Sequence, residues 1–381
     1  MQMQRQDDLM EELESELMEE KDIEDKLFDN DYQEEASIYP DVTIKVEREQ
    51  YSLFELKRKY DKKPQQVKLD PDYQRDDVWD DKQRSELIES VLMGIPLPVF
   101  YLNETKDGQL IVVDGRQRLT TFFRFFDDQF ELQQLRILNN LQGQRFSELK
   151  HNLQSKLEDY QIIAQVIKPP TPDRVIFDIF DRVNRGGTQL NQQEMRNALY
   201  QGKATKLLDD LSSSDSYLEV TGRTITPIRM KDRYMILRLI SFILWRNGEL
   251  TEYKHKELDE FLGRSMKYIN EMDDENIAEL KTLFHLTMCN NMIIFGNRAF
   301  RRTNGRYPVN FILFESFGYL FTQFDQTTCE NNTVRFRELS NKLLEDGKFN
   351  ELLSKDRGTG SVIPDVFDKM DELGRRLRDD K

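Results

Sequence analysis

The stretch that decides the fold is residues 110–121, Leu-Ile-Val-Val-Asp-Gly-Arg-Gln-Arg-Leu-Thr-Thr. Four apolar residues in a row predict a buried strand, and Asp114-Gly115 predicts a tight turn that leads directly into a helix. Such a turn gathers free backbone N–H groups, a helix N-terminus and the guanidinium groups of Arg116 and Arg118. All three favour phosphate, so the sequence predicts an anion site at this turn.

An ordinary strand–turn–helix also fits these residues, with Asp114 as a helix cap and the arginines on the surface. Asp-Gly pairs are common in turns, so the pair alone leaves both interpretations open. Arg116 and Arg118 favour the functional interpretation, because cations in the first turn of a helix oppose its macrodipole. We therefore expect an anion or a carboxylate close to these guanidinium groups.

Negative charge is concentrated at the N-terminus of the chain. The chain has 381 residues and a formal net charge of −15. Residues 1–36 contain 15 Asp and Glu but only 3 Lys and Arg, so this segment carries −12 and the other 345 residues about −3. The acidic composition therefore does not exclude nucleic acid as a partner of the other 345 residues. Binding depends on local patches of surface charge and not on the net charge of the chain.

Residues 1–38 are predicted to form an acidic arm that is helical or disordered. Leucines and methionines recur among its acidic residues, which gives a weakly amphipathic pattern. The arm is either a solvated tail, a docking helix for a basic partner, or a phosphate mimic that covers the chain's own anion site.

The use of cysteine, histidine and apolar residues predicts a cytoplasmic protein. Cys289 and Cys329 show no pairing motif, which fits a reducing compartment. The three histidines are too scattered for a metal cluster. The N-terminus lacks an apolar signal core, and the longest apolar run, near residues 234–245, is interrupted by Arg238 and too short for a bilayer. No membrane partner is expected.

The apolar pattern predicts an α+β domain over residues 39–205 and an all-α domain over residues 206–381. Alternating or continuous apolar runs mark the predicted strands of the first domain. These strands are expected at residues 42–46, 99–102, 110–113 and 161–167.

Two capping-box spacings predict helix starts, Asp80 with Gln83 and Asn191 with Glu194, and Gly94 predicts a helix end. Beyond about residue 203 the pattern is almost wholly helical. Helices are expected near residues 228–246, 252–272, 276–294, 308–323 and 333–345.

Two further motifs have both a structural and a functional interpretation. Gln74-Arg75 is flanked by aromatic residues that favour core packing, and Arg75 can pair with a neighbouring aspartate. In the second motif, residues 182–190, Asn184 precedes two glycines and fits an ordinary helix end. In the functional interpretation, Asn184 and a carboxylate serve a divalent ion that bridges phosphates.

Together these motifs resemble the N-terminal domain of GmrSD-type restriction proteins, a family with an Asp-Gly-Gln-Gln-Arg signature. The resemblance covers about residues 42–205 and rests on several stretches in the same order. They are residues 73–75 (Tyr-Gln-Arg), 78–79 (Val-Trp), 87–98 (Leu-Ile-Glu-Ser-Val-Leu-Met-Gly-Ile-Pro-Leu-Pro), 114–121 and 182–194. Residues 299–302 and 310–315 resemble, more loosely, the helical region that often follows in such proteins.

The resemblance implies a ParB/sulfiredoxin-like fold for residues 39–205, followed by the all-α domain. It implies a nucleotide-binding pocket in which NTP is hydrolysed with Mg²⁺. The protein would act as a sensor or switch in anti-phage, restriction-type defence, with DNA as its effector. A partner effector protein and assembly into a homo-oligomer are left open.

Carried over to this chain, the signature implies catalytic roles for Asp114, Gln117 and Arg118, and metal binding by Asp114 and Asn184. Nucleotide or phosphate contacts are implied for Gln74, Arg75, Gly115, Arg116, Arg118, Thr120 and Arg182. Arg116 departs from the family, which usually has glutamine there. Its charge either strengthens the hold on phosphate or replaces an amide that orients water for hydrolysis.

Two other functions are compatible with the sequence. One is a DNA-binding or protein-interaction regulator without turnover, in which the same arginines contact backbone phosphates. The other is a metal-dependent DNA endonuclease. Residues 206–381 contain only His255 and His285, too few for the His-Asn-His nuclease of some relatives, but a nuclease built on carboxylates fits the composition. No P-loop motif occurs, and the signature lacks the cysteine that sulfiredoxin chemistry needs.

Overall fold

The computed structural model of the chain describes residues 44–69, 79–184, 191–251, 253, 258–302, 308–355 and 362–379. These residues belong to two compact units, one within residues 38–190 and one from residue 191 onwards. Strands occur in the first unit, and every described element of the second is helical. The predicted α+β class is therefore confirmed.

The described residues of the first unit form one five-stranded mixed sheet with the order β1-β5-β3-β4-β2. β3 is antiparallel to β4 and parallel to β5, and β1 is antiparallel to β5. The strands are β1 (Lys45–Ser52), β2 (Val67–Lys68), β3 (Phe100–Glu104), β4 (Leu110–Asp114) and β5 (Gln161–Lys168).

The four predicted strands are present, with shifted ends. The largest difference is at β1: a strand was expected at residues 42–46, of which 42 and 43 lie outside the described residues, and the observed strand extends from Lys45 to Ser52. β1 is an edge strand with many charged, solvent-facing side chains, so its apolar alternation is weak. The two-residue β2 is too short to show any periodicity.

Helices of the first unit pack against both faces of the sheet. They are α1 (Leu53–Asp61), α2 (Asp81–Met93), α3 (Arg116–Phe126), α4 (His151–Glu158) and α5 (Asp173–Asn184). Apolar residues of α1 to α4 share a buried core with one face of β3, β4 and β5. Ile111 and Val113, which alternate onto the opposite face of β4, are also buried, and α5 packs against that strand.

The predicted start and end of α2 are both confirmed. The Asp80 side chain accepts a hydrogen bond from the Gln83 N–H at 2.8 Å, and the Gln83 side chain accepts one from the Asp80 N–H at 3.1 Å. Gly94 ends the helix in the left-handed region, with φ of 80°. Asn191 and Glu194 form the second predicted capping box, at the start of the next helix along the chain.

Glu89 of α2 is a buried carboxylate that organises a loop. Its oxygens accept hydrogen bonds from the backbone N–H groups of Arg136, Ile137 and Leu138 at 3.3, 2.8 and 2.7 Å. Burial by itself raises the pKa of Glu89, but the three backbone donors outweigh it and the net pKa is lowered. The glutamate within residues 87–98 therefore has a structural role.

The described helices of the second unit include all those predicted there, again with shifted ends. They are α6 (Gln192–Leu199), α7 (Lys203–Ser212), α8 (Asp215–Val220), α9 (Lys231–Arg246), α10 (Leu258–Glu271), α11 (Asp274–Phe295), α12 (Phe311–Leu320), α13 (Gln326–Asn331), α14 (Thr333–Leu344), α15 (Gly347–Lys355) and α16 (Ile363–Asp379). Short 3-10 helices occur at Asn139–Leu141, Phe146–Glu148, Ile228–Met230, Gly296–Arg298 and Phe321–Gln323. None of the described helices is both long enough and apolar enough to cross a membrane.

A buried ion pair links two central helices of the second unit. Arg238 of α9 donates to both carboxylate oxygens of Glu315 on α12, and it donates to the hydroxyl of Tyr234 at 2.9 Å. The two charged side chains are 3% and 1% exposed. Asn310 caps α12 by accepting from the Leu313 N–H at 3.1 Å. Residues 310–315, one of the segments with the looser resemblance, thus hold the helical core together.

Helix α6 is fastened inside the second unit by polar contacts. The Asn191 amide donates to the backbone oxygen of Arg229 at 2.7 Å. Arg196, which is fully buried, forms an ion pair with Asp259 and lies 5.5 Å from the ring centroid of Tyr234. A buried charge of this kind is stable only where its partners stay in place, so the position of α6 depends on α9 and α10.

Replacing Glu89 by glutamine is expected to lower the free energy of unfolding by about 1–3 kcal/mol, because an amide cannot accept all three backbone donors. Since folding lowers the pKa of Glu89, its stabilising contribution is present at neutral pH and is lost as the pH falls through that lowered pKa. Urea unfolding monitored by circular dichroism, at neutral and acidic pH, measures both effects.

The matched control is Glu86→Gln on the same helix. Glu86 is 35% exposed and pairs with the largely exposed Arg136, so its replacement should change stability by less than about 0.5 kcal/mol. Equal losses for the two variants would contradict the assigned role of Glu89.

Candidate nucleotide site at the β4–α3 turn

The turn between β4 and α3 has the geometry that residues 110–121 predict. β4 ends at Asp114, Gly115 turns the chain with φ of 95°, and α3 begins at Arg116. A Cβ atom at position 115 would overlap the ring of Phe100 on β3. Glycine is therefore required at position 115 for two reasons: the backbone is left-handed, and Phe100 approaches too closely to leave room for a side chain.

The first turn of α3 exposes the groups that bind anions. The Leu119 N–H is the first to donate within the helix, to the Gly115 oxygen at 2.9 Å. The N–H groups of residues 116–118 precede this bond, and Gly115 offers no side chain to cap them. The first turn also contains no acidic residue. An uncapped helix start with the positive end of the helix dipole is suited to phosphate.

Arg118 stabilises this turn through contacts with three neighbouring residues. Its guanidinium donates to the backbone oxygen of Pro98 at 2.5 Å and to Asp114 Oδ2 at 2.8 Å. It also stacks 4.2 Å from the ring centroid of Phe100. Burial lowers the pKa of Arg118 and the Asp114 carboxylate opposes that change, but an arginine stays protonated in either case.

The sequence predicted an anion or a carboxylate close to Arg116 and Arg118. The Asp114 carboxylate confirms this prediction for Arg118. The Asp114 side chain is 37% exposed and that of Arg118 only 12%. Arg118 is the one described residue that hydrogen-bonds to the carboxylate, and it does so through Oδ2, so Oδ1 has no hydrogen-bond partner among the described residues. The carboxylate is fixed in place by Arg118 while one of its oxygens keeps its capacity to accept.

The sheet register is irregular where Asp114 lies. Tyr101 of β3 pairs with Asp114 and Leu102 pairs with Val112, so the register shifts between Tyr101 and Leu102. Such a bulge changes the direction in which neighbouring side chains point. Neither this bulge nor the bracing contacts of Arg118 with Pro98 and Phe100 are evident from the sequence, although all these residues lie close to the signature.

The other signature residues lie on the first two turns of α3. Arg116, Gln117 and Thr120 are half-buried. Arg116 and Thr120 are four residues apart and therefore share one side of the helix. The structure brings these three residues together with Asp114, Gly115 and Arg118 around a single turn of the chain.

The remaining predicted site residues are less closely placed. Arg182 is exposed in the last turn of α5, the helix that packs against β4. Asn184 is the last residue of that helix, and its side chain lies outside the described part of the structure. Gln74 and Arg75 also lie outside the described residues.

Among the described residues, no three His, Cys, Asp or Glu side chains are grouped so that they could hold a metal ion. Asp114 fits another mode, in which Mg²⁺ arrives on phosphates and the protein adds one or two carboxylates. An Oδ1 without a hydrogen-bond partner among the described residues and the partial exposure of the side chain are what that mode requires. Cys329 is no candidate nucleophile, because burial and the nearby Asp325 and Glu330 raise the pKa of its thiol to about 12.

A family model described as the N-terminal domain of the GmrSD restriction endonuclease matches residues 53–201. Residues 53–201 belong to this domain family. The GmrSD-type domain begins at the first residue of α1 and ends just after α6, so it contains the β4–α3 turn and the whole of α5. No curated protein and no solved structure matches the chain.

In the GmrSD-type domain, Gly115→Ala is expected to cost more stability than Gly108→Ala. Both glycines have positive φ, 95° and 74°, so each substitution forces a side chain into the left-handed region, at about 1–2 kcal/mol. A Cβ at position 108 meets open space, whereas one at position 115 overlaps Phe100.

Urea unfolding of the two single variants measures the difference. We expect Gly115→Ala to lose at least about 1 kcal/mol more than Gly108→Ala, since relief of the overlap must move a buried aromatic ring or the turn itself. Equal losses would show that Phe100 does not constrain this turn.

Proposed function

We propose that this chain is a restriction-type defence protein whose GmrSD-type domain binds a nucleoside triphosphate at the β4–α3 turn and hydrolyses it with Mg²⁺. One observation carries the proposal: the uncapped start of α3, which contains Arg116, directly follows a carboxylate that Arg118 holds in place. The domain match supports the restriction-type role, and the ParB/sulfiredoxin-like identity of the fold is part of the proposal.

The phosphates of the nucleotide lie at the start of α3. The N–H groups of residues 116–118 donate to phosphate oxygens, and Arg116 adds a full positive charge beside them. Arg118 has a different part, because two of its five N–H groups already bind Pro98 and Asp114. It positions the turn and the carboxylate, and its other N–H groups are left for phosphate.

Asp114 and Asn184 would hold Mg²⁺, which would supply positive charge to neutralise the charge that develops during transfer of the terminal phosphoryl group. Asp114 supports that ion through Oδ1, and Asn184 and Arg182 complete the site from the end of α5. Gln117 is the remaining polar side chain of the first turn, and its amide orients the attacking water. Gln74 and Arg75 close the site from the upstream motif, and Thr120 contacts phosphate from the second turn of α3.

Arg116 sets the balance between binding and turnover. The related domains usually have glutamine at this position, which suits the orientation of water, whereas arginine suits the binding of phosphate. This substitution favours tight binding over fast hydrolysis, as in a switch that changes state slowly. It also supports a second candidate function, a regulator that binds nucleotide or DNA without turnover. In either case DNA is the proposed effector and the helical unit transmits the nucleotide state.

Arg116→Ala should weaken NTP binding about tenfold or more, because a charge-assisted contact to phosphate contributes about 1.5–3 kcal/mol. Arg116→Gln should weaken binding less and should increase the rate of phosphate release. Calorimetry with each Mg²⁺-NTP and a phosphate-release assay, with and without duplex DNA, measure both quantities on the full chain.

Arg124→Ala is the matched control, since Arg124 lies in the last turn of the same helix, far from its N-terminus. Arg118→Ala is a poor probe of phosphate binding, because it also removes the brace of the turn. Absence of NTP binding by the wild-type chain would overturn the proposal. Binding without turnover under every condition would refute the hydrolase and leave the regulator.

A further inference from the structure

Four polar residues lie in one row across the sheet, next to the β4–α3 turn: Asp114, Tyr101, Gln165 and, on β1 opposite Gln165, Arg48. Asp114 on β4 pairs with Tyr101 on β3, and Tyr101 pairs with Gln165 on β5. Neighbouring strands are about 4.8 Å apart, so the row extends about 10 Å from Asp114 to Gln165. It therefore begins at the proposed phosphate site and leads away from it.

Tyr101 and Gln165 lie on the face of the sheet opposite the core of α1 to α4. Phe100 and Leu102, which flank Tyr101 along β3, are fully buried in that core, so Tyr101 points the other way. The same alternation places Gln165, between Ala164 and Val166, on this second face. The second face is partly open, because Tyr101 and Gln165 are half-buried.

Neither the Tyr101 hydroxyl nor the Gln165 amide forms a hydrogen bond with any residue in the described part of the chain. A hydroxyl and an amide side by side on a partly covered surface can hydrogen-bond to a ligand that carries both donors and acceptors.

Asn103 provides an independent observation on the same face. It lies two residues after Tyr101 on β3 and is only 7% exposed, between the buried Ile111 and Ile167. Its amide also forms no hydrogen bond within the described residues. Its donor and acceptor groups are therefore available to a ligand on this face.

We propose that Tyr101, Asn103 and Gln165 bind the nucleoside part of the nucleotide whose phosphates lie at the start of α3. This inference rests on the proposed function and adds the surface that separates a nucleotide from a bare polyphosphate. The amides of Gln165 and Asn103 match the paired donor and acceptor on the edge of a base, as glutamine and asparagine do in base recognition generally. Tyr101 lies between them and Asp114, where it contacts the sugar.

The test compares two ligands, a Mg²⁺-NTP and Mg²⁺-tripolyphosphate, which share the phosphates but not the nucleoside. Calorimetry on the full chain should show that Gln165→Ala weakens NTP binding about tenfold. Tyr101→Phe should weaken it about fivefold. Both variants should bind tripolyphosphate within twofold of the wild-type affinity. Asn103→Leu should also weaken NTP binding, and its melting temperature should not fall, because the amide forms no hydrogen bond that the variant would lose.

The matched control is Gln50→Ala. Gln50 is a glutamine on the same face of the sheet, on the outer strand β1 and opposite Ile163, and it is exposed. The Gln50→Ala variant should bind both ligands with the wild-type affinity. The inference is overturned if Gln165→Ala behaves like Gln50→Ala, or if the variants lose both ligands to the same degree. Wild-type protein that binds tripolyphosphate as tightly as NTP would overturn the inference alone, whereas wild-type protein that binds neither would overturn the proposed function as well.

Discussion

The contacts of one guanidinium determine the geometry of the β4–α3 turn. Arg118 connects the end of β4, the chain before β3 and the ring of Phe100, and Phe100 leaves no room for a side chain at Gly115. The ion pair with Asp114 is sheltered on the arginine side, so solvent screens it less than a surface pair. Because of these contacts, the carboxylate and the first amides of α3 keep a fixed relation to each other. A site that must stabilise charge benefits from groups that need no reorganisation.

The sequence predicted the local features of the fold because they depend on residues close together in the chain. The strand 110–113, the turn at Gly115 and the capping boxes of α2 and α6 follow from short-range chemistry. The unexpected features depend on residues brought together by the sheet. Tyr101 and Gln165 are 64 positions apart in sequence, and only the parallel pairing of β3 with β5 makes them neighbours. No periodicity within either strand could show that contact.

One of the two arginines at the start of α3 has the compensating carboxylate that the sequence predicted. Cations near a helix N-terminus need compensating charge, and for Arg118 the chain supplies it four residues earlier, at Asp114. Residues 87–98 and 310–315 were identified from the sequence by their resemblance to the family. The sequence alone could not show what the individual side chains in these segments do. Glu89 holds a loop through three backbone N–H groups, and Glu315 neutralises a buried arginine. Roles of this kind depend on burial, which a motif alone does not reveal.

The position of α6 has a consequence for how this protein can be divided. The family match extends to residue 201, but the compact unit to which α6 belongs begins at residue 191. A fragment that stops at residue 201 would keep α6 while removing Asp259 and Tyr234, the partners of its buried arginine. The charge of Arg196 would then face solvent on a helix with no surface to pack against. The segment that the family model matches therefore lacks, when taken alone, the residues that its last helix packs against in this chain.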